Sequence, residues 1–434
     1  MHPVPPPRRR LRRALLLGLL LALPGALLPV GLPLLAAPAQ AQAPAAPDAA
    51  TPPGTLVFVK DHDVWIARGD GSAARRVTTG GAAGNPWRSP TQSGRGVIVA
   101  TRGPLLYRMD QWGNVLDIID PPALVNTAGQ PIDGTVAEAA TSPDGSRIAY
   151  TYTQYTCPVG VGCAWRSVTG YTDATTTSPP AKYGTTPFEH PSWVTGGRTL
   201  VTGGYLSQLN LHDLGQGEAV HWFDDSELYA NDTDLGNGEV SPDGRLLAAV
   251  RGYGDSQQII WYAVNGDART GRPTLPTPLC WTETGAGITN PTWAPDGSAL
   301  AIEQPQGIEI ARDIQGCTSI TLAIPGGSQP SWSRAALSTQ RPAAKRITAT
   351  ARPKVSGKAR AGRRLTVSTG RWTPAPATYA YQWYRDNRPV PGARSRTYRV
   401  VKADRGRRLS VRVTASRPGY TSASATTAPL KVRR

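Results

Sequence analysis

The chain has 434 residues, with 47 Lys and Arg against 30 Asp and Glu, for a formal net charge of +17. The excess is uneven: residues 341–434 carry 24 Lys/Arg and 2 Asp/Glu (+22), whereas residues 44–340 carry 18 and 28 (−10), which excludes a uniformly basic protein. The four cysteines match no zinc-ligand spacing, and beyond the N-terminal region no apolar run is long enough to span a bilayer.

The first 43 residues read as a secretory signal. Arg8, Arg9, Arg10, Arg12 and Arg13 form a basic n-region, an apolar stretch from Ala14 to Leu35 follows, and Ala39-Gln40-Ala41 or Ala41-Gln42-Ala43 offers small residues for cleavage. Pro24, Pro29 and Pro33 interrupt the stretch and argue against an uncleaved anchor. General secretion is the expected route. No cysteine precedes Cys157, so no lipid anchor is expected at the N-terminus. An Ala/Pro-rich linker occupies 44–54.

From Thr55 a landmark recurs about every fifty residues: Ser142-Pro143-Asp144-Gly145, Ser241-Pro242-Asp243-Gly244 and Ala294-Pro295-Asp296-Gly297, with altered copies at Ser93-Gly94 and Trp193-Val194-Thr195-Gly196-Gly197. Aligned on Gly94, Gly145, Gly197, Gly244 and Gly297, the steps are 51, 52, 47 and 53 residues, a period that signals a repeat array. Proline presets φ, aspartate tolerates the bend, and glycine takes the left-handed position. A strand-length run follows each landmark, as in Arg147–Tyr152 and Arg245–Val250, and further strands follow that, as in Gln258–Val264 and Gly307–Arg312. Each unit therefore reads as a four-stranded antiparallel meander. Such a sheet cannot bury both faces alone, and radial packing of several is the propeller solution. The first unit starts at its second strand, Thr55–Lys60, and the last landmark, Pro330-Ser331-Trp332-Ser333, supplies a first strand without a second. Joined, they complete one sheet and give six.

These turns, together with Asp63-Val64-Trp65-Ile66-Ala67-Arg68 and Ala74-Arg75-Arg76-Val77-Thr78, resemble the WD40-like propeller repeats of the TolB family over roughly Thr55 to Ala336. The third unit departs most, with an insertion around Cys157 to Tyr183. The fold class expected is all-β, a six-bladed propeller over 55–336 followed, after a linker at 337–346, by a small β-sandwich over 347–432. In the latter, Arg364–Val367, Tyr379–Arg385, Thr397–Val400 and Leu409–Val413 alternate apolar and polar residues. The run around Trp383, with Pro391-Gly392-Ala393 and Asp404-Arg405-Gly406-Arg407-Arg408, resembles the immunoglobulin-like modules of secreted actinobacterial proteins. It lacks the inter-sheet cysteine pair of antibody domains, so Trp383 is expected to pack against aliphatic side chains.

Four cysteines suit an oxidising compartment, and the expected location is secreted or cell-envelope. Of three formal pairings, Cys157–Cys163 across a short loop and Cys280–Cys317 between successive units are preferred. Chemistry is sparse. His62, His190, His212 and His221 read as spread over different units, and no nucleophile elbow, phosphate loop or dinucleotide fingerprint occurs. No catalytic residue, cofactor or metal is assigned. The acidic stretch Asp224 to Glu239 is oxygen-rich, but Gly236 stands where a calcium loop needs a ligand. Trp65, Trp112, Trp222 and Trp281 could line a groove, or pack between sheets. The expected function is a non-enzymatic binding scaffold. Its propeller face meets a protein or peptide, and its basic module meets an anionic envelope polymer. Nucleic acid is a minor reading because no base-reading motif is present, and the module could instead dock on the acidic propeller. The alternative is a glycan hydrolase or lyase with its site at the channel mouth.

Overall fold

The computed structural model describes residues 52–433 apart from 126–128, 157–162, 176–184, 205–206, 344, 377 and 418. The expected signal, 1–43, lies outside them. Among the described residues there is no α-helix, and no helix is long and apolar enough to cross a membrane.

Six four-stranded antiparallel sheets make the propeller. The first is ordered Ser328–Ser333, Thr55–Lys60, Asp63–Arg68, Arg75–Arg76, so its leading strand comes from the far end of the region. The register pairs Thr55 with Ser333, Leu56 with Trp332 and Val57 with Ser331. The other five keep chain order and lead with Arg88–Gln92, Val136–Thr141, Glu189–Thr195, Leu235–Val240 and Thr289–Trp293. By compactness the chain divides into one unit of residues up to 60, 67–74 and 188–336, and another of 61–66, 75–187 and 337–434.

The repeated turn works through its side chains. Ser142 Oγ donates to Asp144 Oδ1 (2.6 Å) and accepts from Arg147 N (3.0 Å), and the Gly145 N–H, at φ +74°, closes the turn on Ser142 O. Ser241, Asp243 and Leu246 repeat the same bonds. In the altered copy at Ser93, the glycine that closes the turn is Gly96 (φ +82°), whose N–H donates to Ser93 O. Gly94, used in the sequence alignment, instead donates to Pro143 O of the next turn. The third sheet keeps four strands despite its insertion, because the added residues lengthen one hairpin, Arg147–Thr156 with Ala164–Asp173.

Burial follows the alternation. Leu200, Leu211, Trp222, Phe223, Leu247, Ile260 and Tyr262 form one inter-sheet core, and Trp261, Cys280, Trp293, Leu300 and Ile302 form the next. The Cys280–Cys317 disulfide joins the outer strand of the fifth sheet to the sixth, with Cα atoms 5.7 Å apart. Cys163 is disulfide-bonded, and Cys157 lies outside the described residues.

The C-terminal module sets the strands Arg388–Pro389, Thr378–Arg385, Arg408–Ser416 and Ala423–Thr426 against short sheets that include Val355–Ser356, Arg364–Val367 and Thr397–Arg399. Its core is Leu365, Val367, Trp372, Trp383, Leu409, Val411 and Val413. Trp383 does not rest on aliphatics alone. It stacks on Tyr398 (5.1 Å, 27°), and its indole N–H donates to Ser395 O.

Candidate functional site

The leading strands carry a device that periodicity does not reveal. Each has an interrupted register, and in five of them a non-glycine residue sits near the break at positive φ: Ser89 (45°), His190 (50°), Asn237 (45°), Asn290 (48°) and Gln329 (50°). A bulge re-aims side chains, and a residue held there costs about 1 kcal/mol or more. The strain serves contacts to neighbouring sheets. Asn237 Nδ2 donates to Thr289 Oγ1 (2.8 Å) and Asn290 Oδ1 (3.0 Å). Asn290 Nδ2 donates to Glu303 Oε2 (2.6 Å), which also accepts from Gln329 N (2.7 Å). Ser89 Oγ bonds both the C=O and N–H of Ala139.

A second ring position receives the next sheet's backbone. Thr91 Oγ1 accepts from Thr141 N, Thr292 Oγ1 from Trp332 N, and Glu239 Oε1 from Trp293 N (2.9 Å). Thr292 also donates to Glu239 Oε1 (3.0 Å). Burial pushes the Glu239 carboxyl up to about 7, against the lowering effect of these two bonds. These polar groups hold sheet to sheet.

The acidic stretch is divided among structural tasks. Asp225 is fully buried and grips Arg251 through two bonds, Nε–Oδ1 at 2.6 Å and Nη2–Oδ2 at 2.8 Å. Asp224 caps a short 3-10 turn and Glu227 closes the capping box. His221 Nε2 lies 3.0 Å from Glu227 Oε2, and one ligand atom from each of His221, Asp224 and Glu227 falls within 4.8 Å of the others. The capping and hydrogen bonds account for this grouping. His190, His212 and His221 all belong to the fourth sheet and not to separate units, since the short repeat there compresses them into one meander. His212 is buried with Nε2 3.3 Å from Gln216 O, and burial lowers its pKa.

Of the four tryptophans singled out, Trp222 is buried in a core. Trp112 lies under the Arg75 guanidinium at 3.9 Å and donates to Ser338 Oγ (3.2 Å). Trp65 and Trp281 are half-buried. The exposed aromatics are others. Tyr155 (55% exposed) and Trp165 (69%) face each other across the long hairpin of the third sheet, ring centroids 5.4 Å apart. The hairpin register sets Tyr155 directly opposite Trp165.

In the basic module, Arg385 pairs with the buried Asp404 and Arg407 with Asp386. Among the described residues no other cation of residues 341–433 enters an ion pair. The linker meets the second sheet through Ser338, whose N–H donates to Gln111 Oε1 (2.6 Å). Beside it a cavity of about 210 Å³ is lined by Asp110, Asn114, Lys345, Arg417 and Tyr420 among others.

No family model matches the chain, and no curated protein matches it. Solved structures do. A TolB candidate from Agrobacterium tumefaciens is 15% identical, with 64% of this chain and 92% of that one covered and a TM-score of 0.40. A candidate 6-phosphogluconolactonase from Bacteroides uniformis is 11% identical (64% and 99% covered, TM-score 0.37). Prolyl oligopeptidase B from Galerina marginata is 13% identical (76% and 56% covered, TM-score 0.35), so the match spans about half of that enzyme.

Proposed function

We propose that the protein is an extracytoplasmic, non-enzymatic binding scaffold. Its propeller presents loops and the long third-sheet hairpin to a protein or peptide partner, and its basic module holds the molecule to an anionic polymer of the cell envelope. The observation that carries this is the charge state of the module: 24 cations, 2 acids, and both acids already spent on Arg385 and Arg407. Cations left without internal partners keep their full attraction for an external polyanion, and that attraction is screened by salt. The aromatic pair Tyr155–Trp165 supports the partner-binding half, since exposed Tyr and Trp supply contact area at low entropic cost. The Cys280–Cys317 disulfide fits an oxidising location.

The test is sedimentation of the full chain with purified envelope fragments. Binding at low ionic strength and release at high salt are expected. A chain that stays in the supernatant at low salt would remove the tethering half of the proposal. Loss of tethering in a Tyr155→Ala/Trp165→Ala variant would show that the two halves had been assigned to the wrong parts.

A further inference from the structure

We infer that one end of the C-terminal module is the polyanion site, and that its ligand is a linear phosphodiester polymer read through its backbone. This rests on the tethering reading and adds a place and a chemistry to it.

The place follows from how three segments are laced. Gly362 N donates to Val400 O and Val400 N to Arg363 O, joining the 358–364 turn to the segment after Thr397–Arg399. Arg433 N donates to Ala359 O, Gly406 N to Val432 O, and Val432 N to Arg407 O, joining the final residues to both. Six exposed cations are thereby collected at one end: Lys358, Arg360, Arg363, Lys402, Arg405 and Arg433. At its edge Arg364 stands directly opposite Arg399 in the antiparallel register, a like-charge pair that destabilises a sheet. One acid at this end, Asp404, is buried and already takes Arg385 Nε, Tyr398 Oη and Val401 N. It does not neutralise the cluster. The other acid at this end, Asp386, is taken by Arg407 and by Arg408 N, so neither acid pairs with the six, and ordered like charges in that state are the arrangement an external polyanion would relieve.

The chemistry follows from the side chains. Residues 341–434 use 19 Arg to 5 Lys, and the guanidinium fork matches the two free oxygens of a phosphodiester. No aromatic residue occurs in 358–364, 399–408 or 431–433, so the surface has no platform on which bases could stack. It is suited to a charged backbone and not to nucleobases.

The same strands provide an internal control. Their opposite ends carry Arg352, Lys354, Arg371 and Arg394, also exposed. Four residues of strand at about 3.3 Å each separate the two ends by roughly 13 Å, beyond the screening length of about 8 Å at physiological salt. The two sets can therefore be tested as separate fields.

The experiment measures binding of the full chain to a labelled abasic sugar-phosphate 12-mer by fluorescence anisotropy. A same-length single-stranded DNA and poly-glutamate serve as comparison probes. The variant Arg363→Gln/Lys402→Gln/Arg405→Gln/Arg433→Gln is expected to bind the abasic strand at least about tenfold more weakly. The variant Arg352→Gln/Lys354→Gln/Arg371→Gln/Arg394→Gln, with the same charge change, is expected to lose less than about threefold. Equal losses would overturn the location and leave tethering by diffuse charge intact. Poly-glutamate binding as tightly as the abasic strand would overturn the phosphate assignment, and DNA binding tenfold more tightly would overturn backbone reading. If the unaltered chain ignores every probe at low salt the inference falls, and sedimentation with envelope fragments decides separately whether tethering falls with it. All eight positions are exposed, and a thermal melt of each variant checks that the fold is kept.

Discussion

Glu239 occupies a position that threonine fills elsewhere, and the exchange has a pH signature. Thr91 and Thr292 accept a neighbouring strand's N–H with a neutral hydroxyl, whereas Glu239 does so with a carboxyl that burial pushes up to about 7 from 4.5. Between those two values the folded chain holds a proton that the unfolded chain has released. Stability from this group is therefore full at low pH and declines as pH rises towards 7. Gln keeps an acceptor oxygen for Trp293 N and never ionises. Glu239→Gln is expected to flatten the melting temperature between pH 5 and 8, and at pH 8 to be more stable than the natural protein by roughly 2 kcal/mol. Equal melting of both proteins at pH 8 would show that the carboxylate is solvated after all. Burial raises the Asp225 pKa as well, against the lowering effect of Arg251, but here a charged partner is present. Removing it in Asp225→Ala leaves the half-buried Arg251 without its two-bond partner, and a loss of about 3–5 kcal/mol in chemical denaturation is expected.

Sheets depend on elements brought from a distance. The strand Ser328–Ser333 covers the edge of Thr55–Lys60, Trp332 Nε1 donates to Pro53 O (3.0 Å), and Thr55 Oγ1 donates to Ala335 O (3.0 Å). Deleting 328–336 while keeping the rest is expected to leave an unpaired edge and abolish cooperative unfolding, where a loose surface strand would only lower the midpoint. Hydrogen exchange at Thr55–Lys60 distinguishes the two. The Cys280–Cys317 link spans 37 residues, and Cys280→Ala/Cys317→Ala is expected to cost about 2–4 kcal/mol. This scale is also where the sequence was most informative. The Ser-Pro-Asp-Gly turns announce themselves because their residue types cause the geometry, and the shared first sheet follows from the missing strand at each end. The bulged leading strands were not legible. Their positive-φ positions are filled by Ser, His, Asn and Gln; the following Pro90, Pro191, Pro291 and Pro330 mark four of them in the sequence, but not the contacts to neighbouring sheets they serve. For the same reason the exposed Tyr155–Trp165 pair needed the hairpin register, whereas Trp222, equally prominent in the sequence, is core.

At the scale of the whole molecule, charge is segregated along the chain, −10 over 44–340 and +22 over 341–434. Two outcomes are possible for such a molecule: the parts neutralise each other, or each keeps its own field. The contacts around Ser338 themselves join no opposite charges. They are hydrogen bonds to Gln111 and Trp112 beneath the Arg75 ring contact, and not ion pairs. Asp110 shares a cavity wall with Lys345 and Arg417, and because charges farther apart than about 8 Å are largely screened at physiological salt, the rest of the module's field is expected to persist. Lys345 and Arg346 are exposed at the end of the linker and offer trypsin cuts there, whereas the Arg341–Pro342 bond resists it. After limited digestion at pH 8 and 0.15 M salt, the fragment ending at Lys345 or Arg346 is expected to bind an anion exchanger and pass through a cation exchanger, while the module does the reverse. Co-elution of both fragments on either resin would mean that the module's cations are already answered within the chain. The case for an external polyanion would then lose its driving force.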